Sequence, residues 1–265
     1  MFIDVHTHLT HPQFKEDWRQ VIANAEKAGL SHIVVNGLEP DSNAQILNMA
    51  EEFSIIQPAL GIYPLDAVNH LLPEDLPFRV SRFSVQSEID RIAEHAASGR
   101  LFAIGECGLD GHWVGPDTFT EQERVFEQLI AIAMKHDLPL IIHTRKLERR
   151  AAEILRHHGI KKVNFHCFGG RSKWALEWAE KDGWWFSIPA NARRNESFTK
   201  MLKSLPKEKI LTETDAPFLG LERGKRSEPA NVVETVRYLA ELRNWSMEEA
   251  KNQVFANFAE LFSLP

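Results

Sequence analysis

The chain alternates strand-like and helix-like segments eight times along its length. Short runs rich in β-branched and aromatic residues are each followed by a longer stretch with apolar residues at helical spacing. Repeated strand–helix units predict a parallel sheet, and eight of them match a closed (β/α)8 TIM barrel, which typically takes about 250 residues. We therefore predict one α/β barrel over residues 1–265 and favour it over a doubly wound open sheet. The predicted strands are 2–6, 32–36, 58–62, 102–106, 140–143, 163–167, 184–188 and 210–215.

The helices are placed by apolar periodicity and by residues typical of helix ends. Thr120 with Glu123 and Ser246 with Glu249 have the spacing of a capping box at a helix start. The segment 64–83, with three prolines, is predicted to be a long loop after the third strand. The predicted helices are 13–28, 42–53, 84–98, 120–136, 147–158, 172–182, 195–203, 230–243 and 247–257.

Charge and composition exclude several classes of protein. A net charge of −6 argues against a nucleic-acid binder with a basic surface all round, but it allows an enzyme with a local basic mouth. Two cysteines exclude a disulfide scaffold. No run approaches the about 18 apolar residues that span a membrane, and the first residues do not resemble a signal peptide. We therefore expect a cytoplasmic protein without a membrane partner, monomeric or weakly oligomeric.

Six side chains of metal-ligand type fall at the carboxyl ends of the predicted strands, the face that carries the active site in barrel enzymes. Two of them are separated by one residue in His6-Thr7-His8, so both imidazoles point to the same side of the first strand. Asp4 shares that side and is predicted to orient a ligand imidazole from outside the metal site. The six candidate ligands are His6, His8, Glu106, His143, His166 and Asp215.

Imidazole and carboxylate donors without thiolate suit Zn, Mn or Fe, and the carboxylates also admit Mg. Four histidines and two acids exceed the needs of one tetrahedral ion. They match a pair of ions about 3.5–4 Å apart, with Glu106 as a bridge. Cys107 and Cys167 each follow a candidate ligand, and strand alternation favours packing roles for both.

Basic residues follow the last four strands, at the presumed active face. Arg145, Arg171 and Arg226 each belong to a group of Lys and Arg that lies in, or just after, such a strand–helix loop. A basic rim on an acidic protein attracts phosphate locally. We therefore predict that these three arginines bind the phosphates of a substrate.

The motifs together resemble the TatD family of metal-dependent hydrolases, and the similarity runs in order along nearly the whole chain. The resemblance implies an amidohydrolase-like barrel with deoxyribonuclease activity, commonly from a 3′ end. It also implies that His6, His8, Glu106 and Asp215 hold one ion and that Glu106, His143 and His166 hold the other. The motifs are Phe-Ile-Asp-Val-His-Thr-His at 2–8, Gly-Glu-Cys-Gly-Leu-Asp at 105–110, Ile-Ile-His-Thr-Arg at 141–145, His-Cys-Phe-Gly-Gly at 166–170, Glu-Thr-Asp-Ala-Pro at 213–217 and Gly-Lys-Arg-Ser-Glu-Pro-Ala at 224–230.

Four positions depart from the family pattern while all six candidate ligands are kept. Tyr63 and Leu65 stand where the family usually has histidines. Gly111 replaces a common aromatic residue, and Ser227 replaces a usual asparagine. These departures concern contacts with the substrate rather than the chemistry.

The sequence thus predicts a metal-dependent deoxyribonuclease, with two divalent ions (Mg, Mn or Zn) per subunit and DNA ends, single-stranded or frayed, as substrate. We expect 3′–5′ exonuclease action through a metal-bound hydroxide, with Asp215 and Glu106 as the catalytic residues. The alternatives are an amidohydrolase-type enzyme acting on a small ester, lactone or phosphoester, since fold does not fix substrate, and a non-catalytic protein stabilised by metal.

Overall fold

The computed structural model describes residues 1–264 and has one sheet of eight parallel strands arranged in chain order. The first and last strands meet where Thr7 pairs with Ala216 and the His8 N–H donates to the Ala216 carbonyl at 2.8 Å. The sheet is therefore a nearly closed barrel, and the predicted (β/α)8 fold is confirmed. The strands are β1 Phe2–Thr7, β2 Leu30–Asn36, β3 Ile56–Leu60, β4 Ala103–Asp110, β5 Leu140–Arg145, β6 Val163–Phe165, β7 Trp185–Pro189 and β8 Ile210–Glu213.

Helices connect successive strands, and two of them follow β8. The last helix packs against β1 and β8 and so covers the seam where the barrel closes. None of the helices within residues 1–264 is both long enough and apolar enough to cross a membrane. The helices are α1 Trp18–Lys27, α2 Pro40–Glu52, α3 Pro64–Ala67, α4 Val85–Ala97, α5 Phe119–Lys135, α6 Glu148–His158, α7 Ser172–Lys181, α8 Glu196–Ser204, α9 Val232–Arg243 and α10 Met247–Phe262.

Two local predictions need correction. The segment 64–83 is not only a loop, because it opens with α3 and a 3-10 turn over Asn69–Leu71. The capping box predicted at Thr120 is absent because α5 begins one residue earlier, directly after a 3-10 turn that ends at Thr118. The capping box of Ser246 and Glu249 at the start of α10 is confirmed.

The strands place the candidate ligands at the carboxyl end of the barrel. Leu140, Ile141 and Ile142 of β5 are fully buried on both faces of the sheet, as expected for a parallel strand covered by helices. β5 then continues through His143, whereas β6 ends one residue before His166. β8 ends at Glu213, so Asp215 lies in the turn that follows the strand rather than on it.

Candidate metal centre

The carboxylate of Glu106 lies at the centre of the cluster and faces two pairs of imidazoles. Its Oε2 lies 3.4 Å from Nε2 of His6 and 3.4 Å from Nε2 of His8. Its Oε1 lies 3.1 Å from Nδ1 of His143 and 3.2 Å from Nε2 of His166. Each oxygen therefore has its own pair of nitrogen atoms, one pair from the end of β1 and the residue after it, the other from the ends of β5 and β6.

Asp215 joins the half of the cluster that β1 provides. Its Oδ1 lies 3.5 Å from Nε2 of His8 and 3.8 Å from Nε2 of His6, and these two nitrogens are 3.1 Å apart. The Asp215 backbone has φ +52°, in the left-handed region that few residues other than glycine adopt. Its N–H donates to the His6 carbonyl at 2.9 Å, and this bond holds the turn after β8 against β1.

The donor set suits a divalent cation. The side-chain atoms that face one another are imidazole nitrogens and carboxylate oxygens, and they form three groups, each with atoms within 4.8 Å of one another. Such a collection of buried polar atoms is costly unless it is paired or binds a metal. Within residues 1–264, Nδ1 of His6 and Nδ1 of His166 are buried without a hydrogen-bond partner. The groups are His6, His166 and Asp215; His6, His8 and Glu106; and Glu106, His143 and His166.

The electrostatics keep Glu106 ionised. Burial alone raises its pKa, but the charge of His166 and the hydrogen bonds from His143 and His166 outweigh burial and hold the pKa well below its usual value. Burial and the neighbouring His166 lower the pKa of His6 to about 3, so this imidazole is neutral at pH 7. Ligation requires neutral imidazoles, so an ion bound here would displace the protons that His143 and His166 direct at Glu106.

Two groups outside the cluster bind the second nitrogen of a candidate ligand, and a third lies nearby. Oδ2 of Asp110 lies 2.9 Å from Nε2 of His143, and the Asn36 carbonyl lies 3.1 Å from Nδ1 of His8. Oε1 of Glu213 lies 3.8 Å from Nδ1 of His166, which is beyond hydrogen-bond distance. Such contacts fix the orientation and tautomer of a ligand ring. The sequence reasoning did not assign these roles, although Asp110 and Glu213 stand within the motifs at 105–110 and 213–217.

Asp4 contacts the backbone of a candidate ligand and not its imidazole. Its Oδ1 accepts hydrogen bonds from the N–H of His6 at 3.2 Å and from the N–H of Thr214 at 3.0 Å. Its Oδ2 accepts a bond from the Thr214 hydroxyl. Asp4 therefore ties the backbone of β1 to the turn after β8, and none of these bonds goes to an imidazole.

Two glycines allow the backbone around Glu106 to pack closely. A Cβ on Gly61 would lie 2.3 Å from the Glu106 carbonyl oxygen. A Cβ on Gly108, which has φ +135°, would lie 2.1 Å from the His143 carbonyl oxygen. Larger residues at these positions would displace the strands that carry Glu106 and His143.

The three predicted phosphate-binding arginines differ in their surroundings. Arg145 and Arg171 are exposed, and neither is paired with a carboxylate within the described part of the chain. The Arg226 guanidinium instead binds Asp17 at 3.0 and 2.7 Å and Glu228 at 2.7 Å. A fourth bond goes to the Gln13 carbonyl at 2.7 Å, so Arg226 links the start of α1 to the loop after β8. Its role as a phosphate ligand stays a prediction.

The positions that depart from the family pattern border the site or lie beneath it. The Tyr63 ring packs edge-on against the His143 ring, with centroids 5.0 Å apart. Leu65 is buried, and so is Ser227, whose hydroxyl has no partner in the described part of the chain. A side chain on Gly111 would press against Leu147 and Phe119 at about 3 Å. Tyr63 is therefore the departure that contacts a candidate ligand.

Both cysteines are free thiols. Cys107 is fully buried in the hydrophobic core, which agrees with the packing role predicted for it. Cys167 is partly buried, and its backbone N–H donates to Oε1 of Glu213 at 2.9 Å. Within residues 1–264, no thiol belongs to the groups of atoms that are arranged to hold an ion.

Comparisons with known proteins agree with this architecture. A family model described as "TatD related DNase" matches residues 3–263. The chain is 32% identical over 269 residues to the "Uncharacterized metal-dependent hydrolase YabD" of Bacillus subtilis, with all of both chains covered. It is 33% identical to the human "Deoxyribonuclease TATDN3", covering 98% of this chain and 94% of that one. A "3'-5' ssDNA/RNA exonuclease TatD" of Shigella flexneri is 29% identical, covering 93% and 92%.

Solved structures show the same fold. The crystal structure of YjjV, a TatD homologue from Escherichia coli, superposes with a TM-score of 0.85 at 25% identity, covering all of this chain and 98% of the other.

Proposed function

The chain belongs to the TatD family of metal-dependent hydrolases and deoxyribonucleases, and from this premise we propose that it degrades DNA from the 3′ end, using two divalent ions. The substrate we propose is a single-stranded or frayed end. A relative named as a 3′–5′ exonuclease on single-stranded DNA and RNA supports this polarity and substrate. The acidic overall charge also argues against extensive binding to duplex DNA.

The observation that carries the two-ion proposal is the position of Glu106. Each of its two oxygens faces a separate pair of imidazoles at 3.1–3.4 Å. In this proposal His6, His8 and Asp215 complete one ion site, and His143 and His166 complete the other. A single ion would leave one pair of imidazoles and one carboxylate oxygen without a role.

Divalent ions bound here would lower the pKa of a water molecule and offset the negative charge that develops on the phosphate. Asp215 is the acid best placed to take the proton of the attacking water. Its side chain is 14% exposed, against 3% for Glu106. Burial raises the pKa of Asp215, but the hydrogen bond from His8 and the charge of His166 outweigh burial and lower the pKa below its usual value. Asp215 is therefore ionised and ready to accept a proton.

The exposed guanidinium groups of Arg145 and Arg171 support binding of a polyanion. Arg145 ends β5, two residues after His143, and Arg171 stands at the start of α7, five residues after His166. In our proposal they contact phosphates next to the one that is cleaved. Arg226 is not included, because its donors already bind Asp17 and Glu228.

The proposal is tested with defined DNA and RNA oligonucleotides and Mg, Mn or Zn side by side. A strand labelled at its 3′ end should lose its label as a mononucleotide at once, and a strand labelled at its 5′ end should shorten in a ladder. Asp215→Asn should abolish both reactions. Asp90→Asn, on the exposed face of α4, is the matched control and should change neither.

Two results would contradict the proposal. Internal cuts at early times would refute exonuclease action. Hydrolysis of small esters or lactones by a metal-loaded protein that leaves every oligonucleotide intact would refute the nuclease assignment and favour a small-molecule hydrolase.

A further inference from the structure

Exposed aromatic side chains are rare in this protein. The chain has 16 Phe, seven Trp and two Tyr. Among the described residues, only Trp113 and Phe218 are exposed, at 47% and 48% of their surface. Single exposed apolar side chains are ordinary on a protein surface, so what makes these two rings informative is where they lie.

Both rings lie at the mouth of the barrel, beside opposite halves of the candidate metal centre. Trp113 follows β4 and Phe218 follows β8. Strands that are four apart in a closed barrel of eight are diametrically opposite, given the chain-order arrangement of this sheet. The two rings therefore flank the centre instead of forming one patch.

Each aromatic residue is tied to the centre through direct contacts. The backbone N–H of Trp113 donates to Oδ1 of Asp110 at 3.0 Å, and Oδ2 of Asp110 lies 2.9 Å from Nε2 of His143. The Phe218 N–H donates to the Asp215 carbonyl at 2.8 Å, and its ring centroid lies 6.4 Å from that of His8. A substrate phosphate at the centre would therefore have one ring on each side of it.

We infer that Trp113 and Phe218 are base-stacking surfaces that hold the two nucleobases flanking the cleaved phosphate of a single-stranded nucleic acid. The inference rests on the proposed nuclease function and names the residues that would select unpaired substrates. Aromatic rings stack on any base, so these surfaces bind without sequence preference. A duplex keeps its bases paired and stacked, and it offers no base face to rings on opposite sides of the mouth.

The surroundings of Trp113 fit this use. The Arg145 guanidinium carbon lies over the Trp113 ring, 5.5 Å from its centroid, and the centroid of the tilted Phe78 ring lies 5.4 Å from that of Trp113. Arg145 thus covers one face of the Trp113 ring with a positive charge, close enough to pair with the phosphate of a nucleotide stacked on the other face. On the opposite side, the Phe218 ring is supported edge-on by His11 at 5.3 Å.

The test is binding of a fluorescent phosphorothioate oligo-dT, which resists hydrolysis, measured by anisotropy with Mg²⁺ present. Trp113→Leu and Phe218→Leu should each raise the Kd by about 5- to 150-fold, the range measured for loss of one base–aromatic stack. Trp113→Phe and Phe218→Trp should retain most of the affinity, because they keep an aromatic face. Met134→Ala, at the end of α5 that faces away from the mouth, is the matched exposed control and should leave the Kd unchanged.

A second measurement separates stacking from general loss of binding. Removing single bases from the oligonucleotide should weaken binding to the wild-type protein at two positions, and each leucine variant should be insensitive to base removal at one of them. If base removal and leucine substitution weaken binding additively at every position, the inference is overturned. It is also overturned if the leucine variants bind with unchanged Kd, even if the protein degrades DNA. If the protein binds oligo-dT through these rings but cleaves no nucleic acid, the stacking inference stands and the nuclease proposal fails. If it binds no oligonucleotide, the inference fails.

Discussion

Replacing Asp110 with asparagine should weaken metal binding in the half of the centre formed by His143 and His166. For Nδ1 of His143 to act as a ligand, its proton must be on Nε2, which donates to Oδ2 of Asp110 at 2.9 Å. Oδ1 of Asp110 accepts hydrogen bonds from the backbone N–H groups of His112 and Trp113 at 2.7 and 3.0 Å. An asparagine would keep its carbonyl oxygen on those N–H groups and so turn its NH2 toward Nε2.

That NH2 donor favours the wrong tautomer of His143. Nε2 would have to accept a hydrogen bond, which moves the ring proton to Nδ1, the atom that lies 3.1 Å from Glu106. Changes to groups that orient a metal-bound histidine typically cost 10- to 100-fold in metal affinity, or about 1.4–2.7 kcal/mol. We expect a loss in this range for one ion and no change for the other, because His6, His8 and Asp215 have no bond to Asp110.

The assay is competition with a chelator of known affinity, combined with elemental analysis of metal per protein. Asp90→Asn provides the control for an Asp-to-Asn change outside the site, and thermal unfolding shows whether the variant is folded. Equal loss of both ions from a folded Asp110→Asn protein would refute the tautomer argument, as would unchanged affinity for both.

Four further outcomes follow from particular contacts. Glu106→Gln should reduce the content of both ions and His143→Ala mainly of one, as measured by elemental analysis. Burial raises the pKa of Asp66 from 3.8 to about 7, so the free energy of unfolding should fall as the pH rises between these two values. Urea titrations should therefore show a smaller loss of stability between pH 5 and pH 8 for Asp66→Asn than for the wild type. Cys107→Ser should keep its metal content while losing about 1–2 kcal/mol of stability, since a hydroxyl replaces a thiol in the core. Arg226→Ala should lower the melting temperature by breaking its carboxylate contacts, with the KM for DNA unchanged.

The candidate ligands could be found from the sequence because their positions follow from strand geometry. Alternation along β1 puts His6 and His8 on one side, and parallel strands bring their carboxyl ends together at one face. These rules need no knowledge of side-chain conformation. They would have placed Asp215 on β8, however, where the structure has a turn with φ +52° that brings its carboxylate to within 3.5 Å of His8.

The contacts that surround the ligands could not be predicted in the same way. Asp4 has the correct strand parity for bonding an imidazole, yet its carboxylate accepts from the backbone of β1 and from Thr214. Asp110 contacts His143 because β4 continues four residues beyond Glu106, farther than the predicted strand. The pairing of Arg226 with Asp17 joins positions 209 residues apart in the chain. Such long-range contacts depend on loop paths, which periodicity does not determine.

The candidate metal centre and the closure of the barrel depend on each other. His6 and His8 stand at and just after the end of β1 and Asp215 in the turn after β8, so this half of the centre exists only when the first and last strands meet. The same seam is held by the Asp215 N–H bond to His6, by the His8 N–H bond to Ala216, and by Asp4 bridging His6 and Thr214. An ion held by His6, His8 and Asp215 would bind only when the barrel is closed. Its binding free energy would therefore stabilise the seam between the first and last strands. The half formed at β5 and β6 lies within the continuous sheet and needs no such closure, so loss of the ion at the seam should loosen the barrel more than loss of the other.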